Sequence, residues 1–323
     1  MGDVLLTTPL IRALRERHPE ARITFVTKTA FTSLVSDNPR IAAVIGYDPA
    51  TSLGALADRL KAEKFSHQLD LHGNLRSRML RLMVGGSWSG YPKHRLARAW
   101  LIRTKQDRYR DRRPVAERYF DAAQSLEVTP SGQPLEFFVR REAMEGAQQF
   151  LKERGLGQDR PLIAICPGAQ HPTKRWLLRH WQHLVTQLTT TGSDVVILGG
   201  PAERQLGDDV AAAGVENAGN AAGLFDFPGS AALLKLARRA VSGDTGLMHL
   251  ATAVQTPVVA LFGPTVRQFG FYPYGGRATV LERPLPCRPC SAMGGPKCPL
   301  GHHRCLIDIR PDEVFDAIRR LPR

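Results

Sequence analysis

Val241-Ser242-Gly243-Asp244-Thr245-Gly246-Leu247-Met248-His249-Leu250-Ala251 is followed by Thr256-Pro257-Val258-Val259-Ala260-Leu261-Phe262-Gly263-Pro264-Thr265. The first string leaves a short apolar run, turns between two glycines and enters a segment of helical period. The second is a continuous apolar run that ends in a Gly-Pro turn. Strand, tight turn, helix, strand is the signature of a buried parallel sheet. Such a turn at a helix N-terminus exposes unpaired N–H groups and the positive end of the dipole, which together cradle a diphosphate. Gly243 and Gly246 allow the backbone to approach a ligand closely. Thr245 adds a hydroxyl donor, and His249 on the first turn can face the same anion. Asp244 is not a phosphate partner and suits sugar hydroxyls better. A plainer reading makes Asp244 or Thr245 an N-cap and His249 a core histidine.

The same alternation extends in both directions. Short apolar runs over 22–27, 42–47, 67–71, 162–166, 195–198, 240–242 and 257–262 read as strands. Segments of helical period over 9–17, 53–62, 75–83, 178–189, 203–213, 230–238 and 247–254 lie between them. The result is two doubly wound α/β series. The stretch 129–160, with Pro130, Gly132, Pro134, Gly155 and Gly157, reads as their connector. It divides 1–157 from 158–323, the second ending in a helix over 311–321 opened by Pro311 and Asp312. Thr7-Thr8-Pro9 reads as a helix start, and six residues before it leave no comfortable room for a strand and its turn. The first N-terminal strand is therefore expected to be missing: either this unit opens with a helix or the true start lies upstream.

Two further strand-to-helix turns carry chemistry. Cys166-Pro167-Gly168-Ala169-Gln170-His171-Pro172-Thr173-Lys174-Arg175-Trp176 brings Lys174 and Arg175 to the carboxyl edge of the second sheet, where open α/β sheets bind ligands. Lys174 there balances phosphate as a point cation. In Leu198-Gly199-Gly200-Pro201-Ala202-Glu203, the last residue is placed to accept from ribose hydroxyls; the alternative is a carboxylate at a helix dipole.

Composition narrows the function. The chain of 323 residues is 43% hydrophobic, of ordinary globular character. It has no apolar run near the roughly 18 residues that span a bilayer and no basic leader, so a cytoplasmic location is expected. The formal charge is +14, and 76–118 carries thirteen Lys and Arg against three acidic residues. That excess calls for an anionic partner. Nucleic acid is disfavoured: there is no zinc-finger or RNP-like string, and only 7% of residues are aromatic for base stacking. Cys166 ends an apolar run and reads as buried. Cys287, Cys290, Cys298 and Cys305, with His302 and His303 among them, leave three readings open: a structural zinc site, free or redox-active thiols, and a disulfide.

Taken together, the three turns resemble glycosyltransferase family 9, the ADP-heptose:lipopolysaccharide heptosyltransferases. Gly2-Asp3-Val4-Leu5-Leu6-Thr7-Thr8-Pro9 is similar to that family's start, and Leu69-Asp70-Leu71-His72-Gly73-Asn74-Leu75-Arg76-Ser77 to its acceptor loop. The resemblance implies a GT-B architecture, two Rossmann-like domains facing a cleft, with 1–157 binding acceptor and 158–323 binding nucleotide sugar. It implies inverting, metal-independent transfer of heptose from ADP-heptose to the inner core of lipopolysaccharide, with no cofactor. Asp3 matches the general base. Lys174, Glu203, Asp244, Thr245, Gly246 and His249 match donor-site positions, Lys174 also assisting catalysis. Chemistry agrees: transfer needs a carboxylate to take the acceptor proton and positive charge for the departing diphosphate, and no Asp-x-Asp metal string is present. Arg76 and Arg78 are expected to contact the acceptor directly, and Lys93, Arg95 and Arg98 its phosphates or lipid headgroups. The partners implied are an ADP-sugar, the anionic acceptor and the cytoplasmic face of the inner membrane, without nucleic acid. Two other readings remain: a family-9 transferase for another nucleotide sugar, and a catalytically impaired sugar-nucleotide binder.

Overall fold

The structure is a computed structural model and describes residues 1–48, 50 and 52–322. The chain opens with helix α1 (Gly2–Leu5) and α2 (Thr8–Arg17), joined by a turn in which the Thr8 hydroxyl donates to the Leu5 carbonyl. No strand precedes them among the described residues. Two parallel pairs follow. Strand β1 (Thr24–Lys28) lies beside β2 (Ala43–Tyr47), and β3 (Gln68–Asp70) beside β4 (Trp88–Gly90). Helices α3 (Leu53–Ala62), α4 (Leu75–Val84), α5 (Arg95–Thr104) and α6 (Val115–Arg118) accompany them.

The second half is a single six-stranded parallel sheet. Its strands are β5 (Leu162–Cys166), β6 (Asp194–Ile197), β7 (Ala218–Asn220), β8 (Arg239–Gly243), β9 (Val258–Phe262) and β10 (Ala278–Glu282), in the spatial order β10-β9-β8-β5-β6-β7. Counted from β5, this is the doubly wound Rossmann order, which reverses between β5 and β8 and opens a crevice outside their carboxyl ends. Helices α7 (Arg141–Glu153), α8 (Leu178–Thr190), α9 (Arg204–Ala211), α10 (Phe227–Leu236), α11 (Gly246–Ala253), α12 (Arg304–Ile307) and α13 (Pro311–Arg320) complete it.

The continuous apolar strand runs have a simple cause. Alternate side chains point to opposite faces, and both faces are covered. Ile163 and Ile165 of β5 enter a core with Trp181 and Leu184 of α8 and Val314 of α13. Ala164 and Cys166 enter another core that also takes Leu5, Leu6 and Leu10 from the first half. Helix α1 packs on α11 of the second half, and α2 packs on α6 of the first.

The stretch expected to be a bare connector, 129–160, holds α7. Its Ala147, Phe150 and Leu151 are buried, and Phe150 meets Phe225 edge to face at 5.3 Å, beside α10. Its turn residues lie outside this helix and hid a strongly amphipathic segment between them. Helix α5 and strands β4, β7 and β10 also differ from expectation. β4 and β7 are three residues long and carry Gly90 or Gly219, too short for period to register. β10 is an edge strand with a half-exposed, mixed composition.

Candidate active site

The loops at the carboxyl ends of β5, β6, β8 and β9 converge on the crevice. After β8, Gly243 and Asp244 turn into α11, with Thr245 at its N-cap; the Thr245 and Ser242 hydroxyls share a hydrogen bond of 3.1 Å. A side chain at Gly243 would stand 3.2 Å from the Lys174 carbonyl, so the β5 and β8 loops touch through the absent Cβ. Lys174 Nζ lies 2.6 Å from Asp244 Oδ2, and the Thr265 hydroxyl donates to the same oxygen at 2.6 Å. One oxygen of Asp244, Oδ2, thus holds the Lys174 ammonium and the Thr265 hydroxyl together.

Glu203 sits between the β5 and β6 loops. Its Oε2 accepts from Gly200 N–H at 2.8 Å, and its carboxylate fills the space beside Gly168 where any side chain would stand. The helix-end reading of Glu203 thus describes one of its oxygens, while the carboxylate still lies at the sheet's carboxyl edge. Arg175 Nε donates to Ala169 O at 2.8 Å and folds the β5 loop on itself.

His249 is 3% exposed, and its Nδ1 is buried with no hydrogen-bond partner. Burial pushes its pKa down to about 4, against the opposing pull of Asp244 and Asp3, so the ring is neutral at pH 7. Helix α1 covers it: a Cβ on Gly2 would come within 2.8 Å of His249 Cδ2. Gly246 lies under the Met1 side chain, so Met1 shares the approach to the α11 N-terminus.

Asp3 is exposed on α1. Its charge reaches His249 on the donor side and His72 and Lys93 on the other. Below it stand Tyr91 and Tyr119, edge to face at 4.9 Å. Burial first, and Asp3 second, raises both phenols, Tyr91 to about 12. Lys93 is lowered by burial with Asp3 opposing; His72 is lowered by burial and by Lys93.

The acceptor-loop string folds around Asp70. Its Oδ1 accepts from His72 N–H at 3.0 Å and Gly73 N–H at 2.7 Å, and its Oδ2 from the Ser77 hydroxyl at 2.9 Å. Asn74 caps α4 by accepting from Ser77 N–H at 2.8 Å. Lys93 Nζ donates to His72 O and Arg95 to Gly73 O at 2.5 Å. Arg98 acts on Tyr91 and Lys93 electrostatically. Lys93 and Arg95 thus meet at the 72–73 loop, where the Asp3 charge also reaches Lys93. Arg76 lies over the Tyr47 ring at 5.6 Å, and Arg78 is on the exposed face of α4. His72, Tyr91, Tyr119 and Thr265 carried no expected role. Position at a strand's carboxyl end was the available signal for His72 and Thr265; the two tyrosines join the site by tertiary packing alone.

The cysteine-rich segment braces the β5 loop. Thr173 and Gly295 exchange backbone and hydroxyl hydrogen bonds of 2.8–3.2 Å, and His303 Nε2 lies 2.9 Å from Thr173 O. All five cysteines are free thiols, and among the described residues no group of three His, Cys, Asp or Glu could hold a metal ion. No described helix is long and apolar enough to cross a membrane.

Comparison with known proteins identifies the family. Residues 53–299 match the family described as glycosyltransferase family 9 (heptosyltransferase). Lipooligosaccharide heptosyltransferase 2 of Haemophilus influenzae is 26% identical over 99% of this chain and 96% of its own length. Lipopolysaccharide heptosyltransferase 2 of Escherichia coli is 26% identical over 99% and 95%. The solved structure of the E. coli ADP-heptose LPS heptosyltransferase II, 25% identical, superposes with a TM-score of 0.74 over 98% of this chain and 94% of that one.

Proposed function

This chain belongs to glycosyltransferase family 9, the heptosyltransferases, and we propose that it moves heptose from ADP-heptose to the inner core of lipopolysaccharide, with inversion and without a bound metal. The relatives named above act in lipopolysaccharide or lipooligosaccharide synthesis by their names, and one solved relative is named for ADP-heptose. The observation that carries the reading is the contact of α1 with α11: Gly2 lies against His249 and Met1 against Gly246, and the Asp3 charge of one half is felt by His249 of the other, as are Asp244 and Lys174.

The donor half is 158–323. ADP lies across the carboxyl ends of β5, β6 and β8, with Glu203 accepting from ribose hydroxyls. The diphosphate meets the N-terminus of α11 at Thr245 and Gly246, which offers unpaired N–H groups, and the Lys174 ammonium. Asp244 keeps that ammonium in place. Neutral His249 donates from its ring to the same anion. The acceptor half is 1–157, where Lys93, Arg95 and Arg98, with Arg76 and Arg78 farther out, meet the acceptor's anionic groups.

The reaction is a single displacement. The acceptor hydroxyl attacks the anomeric carbon from the face opposite the diphosphate, and its proton passes to Asp3. The bond from the anomeric carbon to the diphosphate oxygen breaks with its electron pair, and ADP leaves bearing the charge that Lys174 and the α11 amides stabilise. Attack opposite the leaving group inverts the centre. The acceptor is borne by lipid, so the enzyme works at the cytoplasmic face of the inner membrane.

The test is direct. Purified protein is given ADP-heptose, other ADP- and UDP-sugars, and a deacylated inner-core acceptor, with and without chelator. Mass spectrometry should show addition of one heptose from ADP-heptose alone, with unchanged rate in chelator, and NMR should show the anomeric configuration opposite to the donor's. Transfer from another nucleotide sugar in preference, or retention of configuration, refutes the reading.

A further inference from the structure

Among the described residues, six large exposed apolar side chains lie on two helices that follow one another in the chain. On α4 they are Leu75, Met79, Leu82 and Met83; on α5 they are Leu96 and Trp100. The spacing i, i+4, i+7 puts Leu75, Met79 and Leu82 on one face, and no residue of α4 is buried. Each helix already has an inward apolar contact: Leu80 and Val84 of α4 pack with Leu56 and Leu60, and Leu101 of α5 packs with Tyr109 and Phe269. The outward stripe is therefore a second apolar face, not the helix's packing face turned the wrong way. Leu75, Leu82 and Leu96 are 76%, 84% and 88% exposed, a degree that a solvated surface does not favour in a cluster.

Charge identifies what covers it. Between Asp70 and Asp107 the chain has eight Lys and Arg residues and no Asp or Glu. A second copy of the chain would bring like charges together. An anionic bilayer accepts cations at its headgroups and leucine and tryptophan at the acyl boundary, the pattern of helices that lie in a membrane interface. Position agrees: the Lys93 and Arg95 contacts to the 72–73 loop tie the N-termini of both helices beside the acceptor side of the crevice.

We propose that the outer faces of α4 and α5 form a docking platform that seats Leu75, Leu82, Leu96 and Trp100 at the acyl boundary of an anionic lipid surface, with the crevice mouth beside it. This rests on the reading above of a lipid-borne acceptor. It adds that docking is partly apolar, and so only partly reversed by salt.

Vesicles of phosphatidylglycerol mixed with phosphatidylcholine, and of phosphatidylcholine alone, test it with the full chain. The parent should bind the anionic vesicles, retain part of that binding in salt on the order of 0.5 M, where surface charge is screened within about 4 Å, and show tryptophan quenching by lipids brominated on the acyl chain. Trp100→Phe should remove that quenching. The triple variant Met79→Ser, Leu82→Ser, Leu96→Ser, all exposed positions outside the acceptor-loop string, should partition at least about tenfold more weakly and transfer heptose to a deacylated soluble acceptor at the parental rate. Absence of quenching in the parent, binding abolished completely by salt, or equal partition of the triple variant overturns the platform. So does a concentration-dependent dimer that the triple variant loses while vesicles go unbound. Quenched, salt-resistant binding without any heptose transfer would leave the platform standing and remove the proposed function. Transfer to soluble acceptor without vesicle binding would do the reverse.

Discussion

Removing the Lys174 ammonium separates its two jobs. In the structure it neutralises Asp244, whose carboxylate side chain is only 9% exposed while that of Lys174 is 15% exposed. Breaking a buried ion pair by deleting one member costs about 3–5 kcal/mol, because the other charge is left unpaired. Here Thr265 still donates to Asp244, so Lys174→Met should cost about 3 kcal/mol of stability, the lower end of that range. The same change removes a charge-assisted contact to the diphosphate, weakening ADP by about 1–3 kcal/mol, or roughly 5- to 150-fold. Asp244→Asn acts differently. It leaves a cation near enough to the surface to find water, so it should cost about 1 kcal/mol of stability and, because it loosens rather than removes the ammonium, weaken ADP less than Lys174→Met does. The double variant should regain most of the stability lost in Lys174→Met and none of the ADP affinity. Denaturant unfolding and calorimetric titration with ADP read the two properties separately. Parental ADP affinity in Lys174→Met, or recovery of affinity in the double variant, refutes the assignment of Lys174 to the donor site.

Two further outcomes follow from the same geometry. His249 is buried as the neutral ring with its pKa at about 4, below the roughly 6.5 of an unfolded histidine. The folded protein therefore binds this proton less readily than the unfolded chain, and the stabilisation is whole above about pH 6.5 and lost as pH falls towards 4, by up to about 3 kcal/mol. Urea unfolding from pH 7 to 4.5 should show that loss in the parent and a flatter slope in His249→Gln; equal slopes would show that His249 does not set the acid limb. Gly168→Ala places a methyl group where the Glu203 carboxylate lies and should raise the donor KM about fivefold, the loss of about one hydrogen bond, with kcat little changed; unaltered kinetics would detach Glu203 from the nucleotide.

The second half of the fold was legible because its strands are buried on both faces and read as unbroken apolar runs, with β5 and β9 falling where the runs do. The positions of the three strand-to-helix turns were legible for the same reason: glycine and a charged residue directly after such a run mark a carboxyl edge. What the sequence hid was pairing between distant segments. That Lys174 and Thr265 share one oxygen of Asp244 could not be read from three strings so far apart in the chain. Helix α7 was hidden by the prolines and glycines on either side of it. The basic run 76–118 was plain in composition, but only the fold sorts it. Lys93 and Arg95 are drawn to the carbonyls of the 72–73 loop, whereas Arg78 goes with Leu75 and Met79 to the outer face. A linear count of charge carries no information about that division, and the exposed stripe on α4 has the same period as an ordinary core-facing one.

The account depends above all on a carboxylate from the first half acting on a donor bound by the second. Single-turnover transfer by Asp3→Asn, with ADP-heptose saturating, measures this most directly, alongside calorimetry with ADP. The expected result is a rate lower by roughly 10²–10⁴-fold, the share of a general base, with ADP affinity unchanged. Transfer by Asp3→Asn at the parental rate would contradict the account.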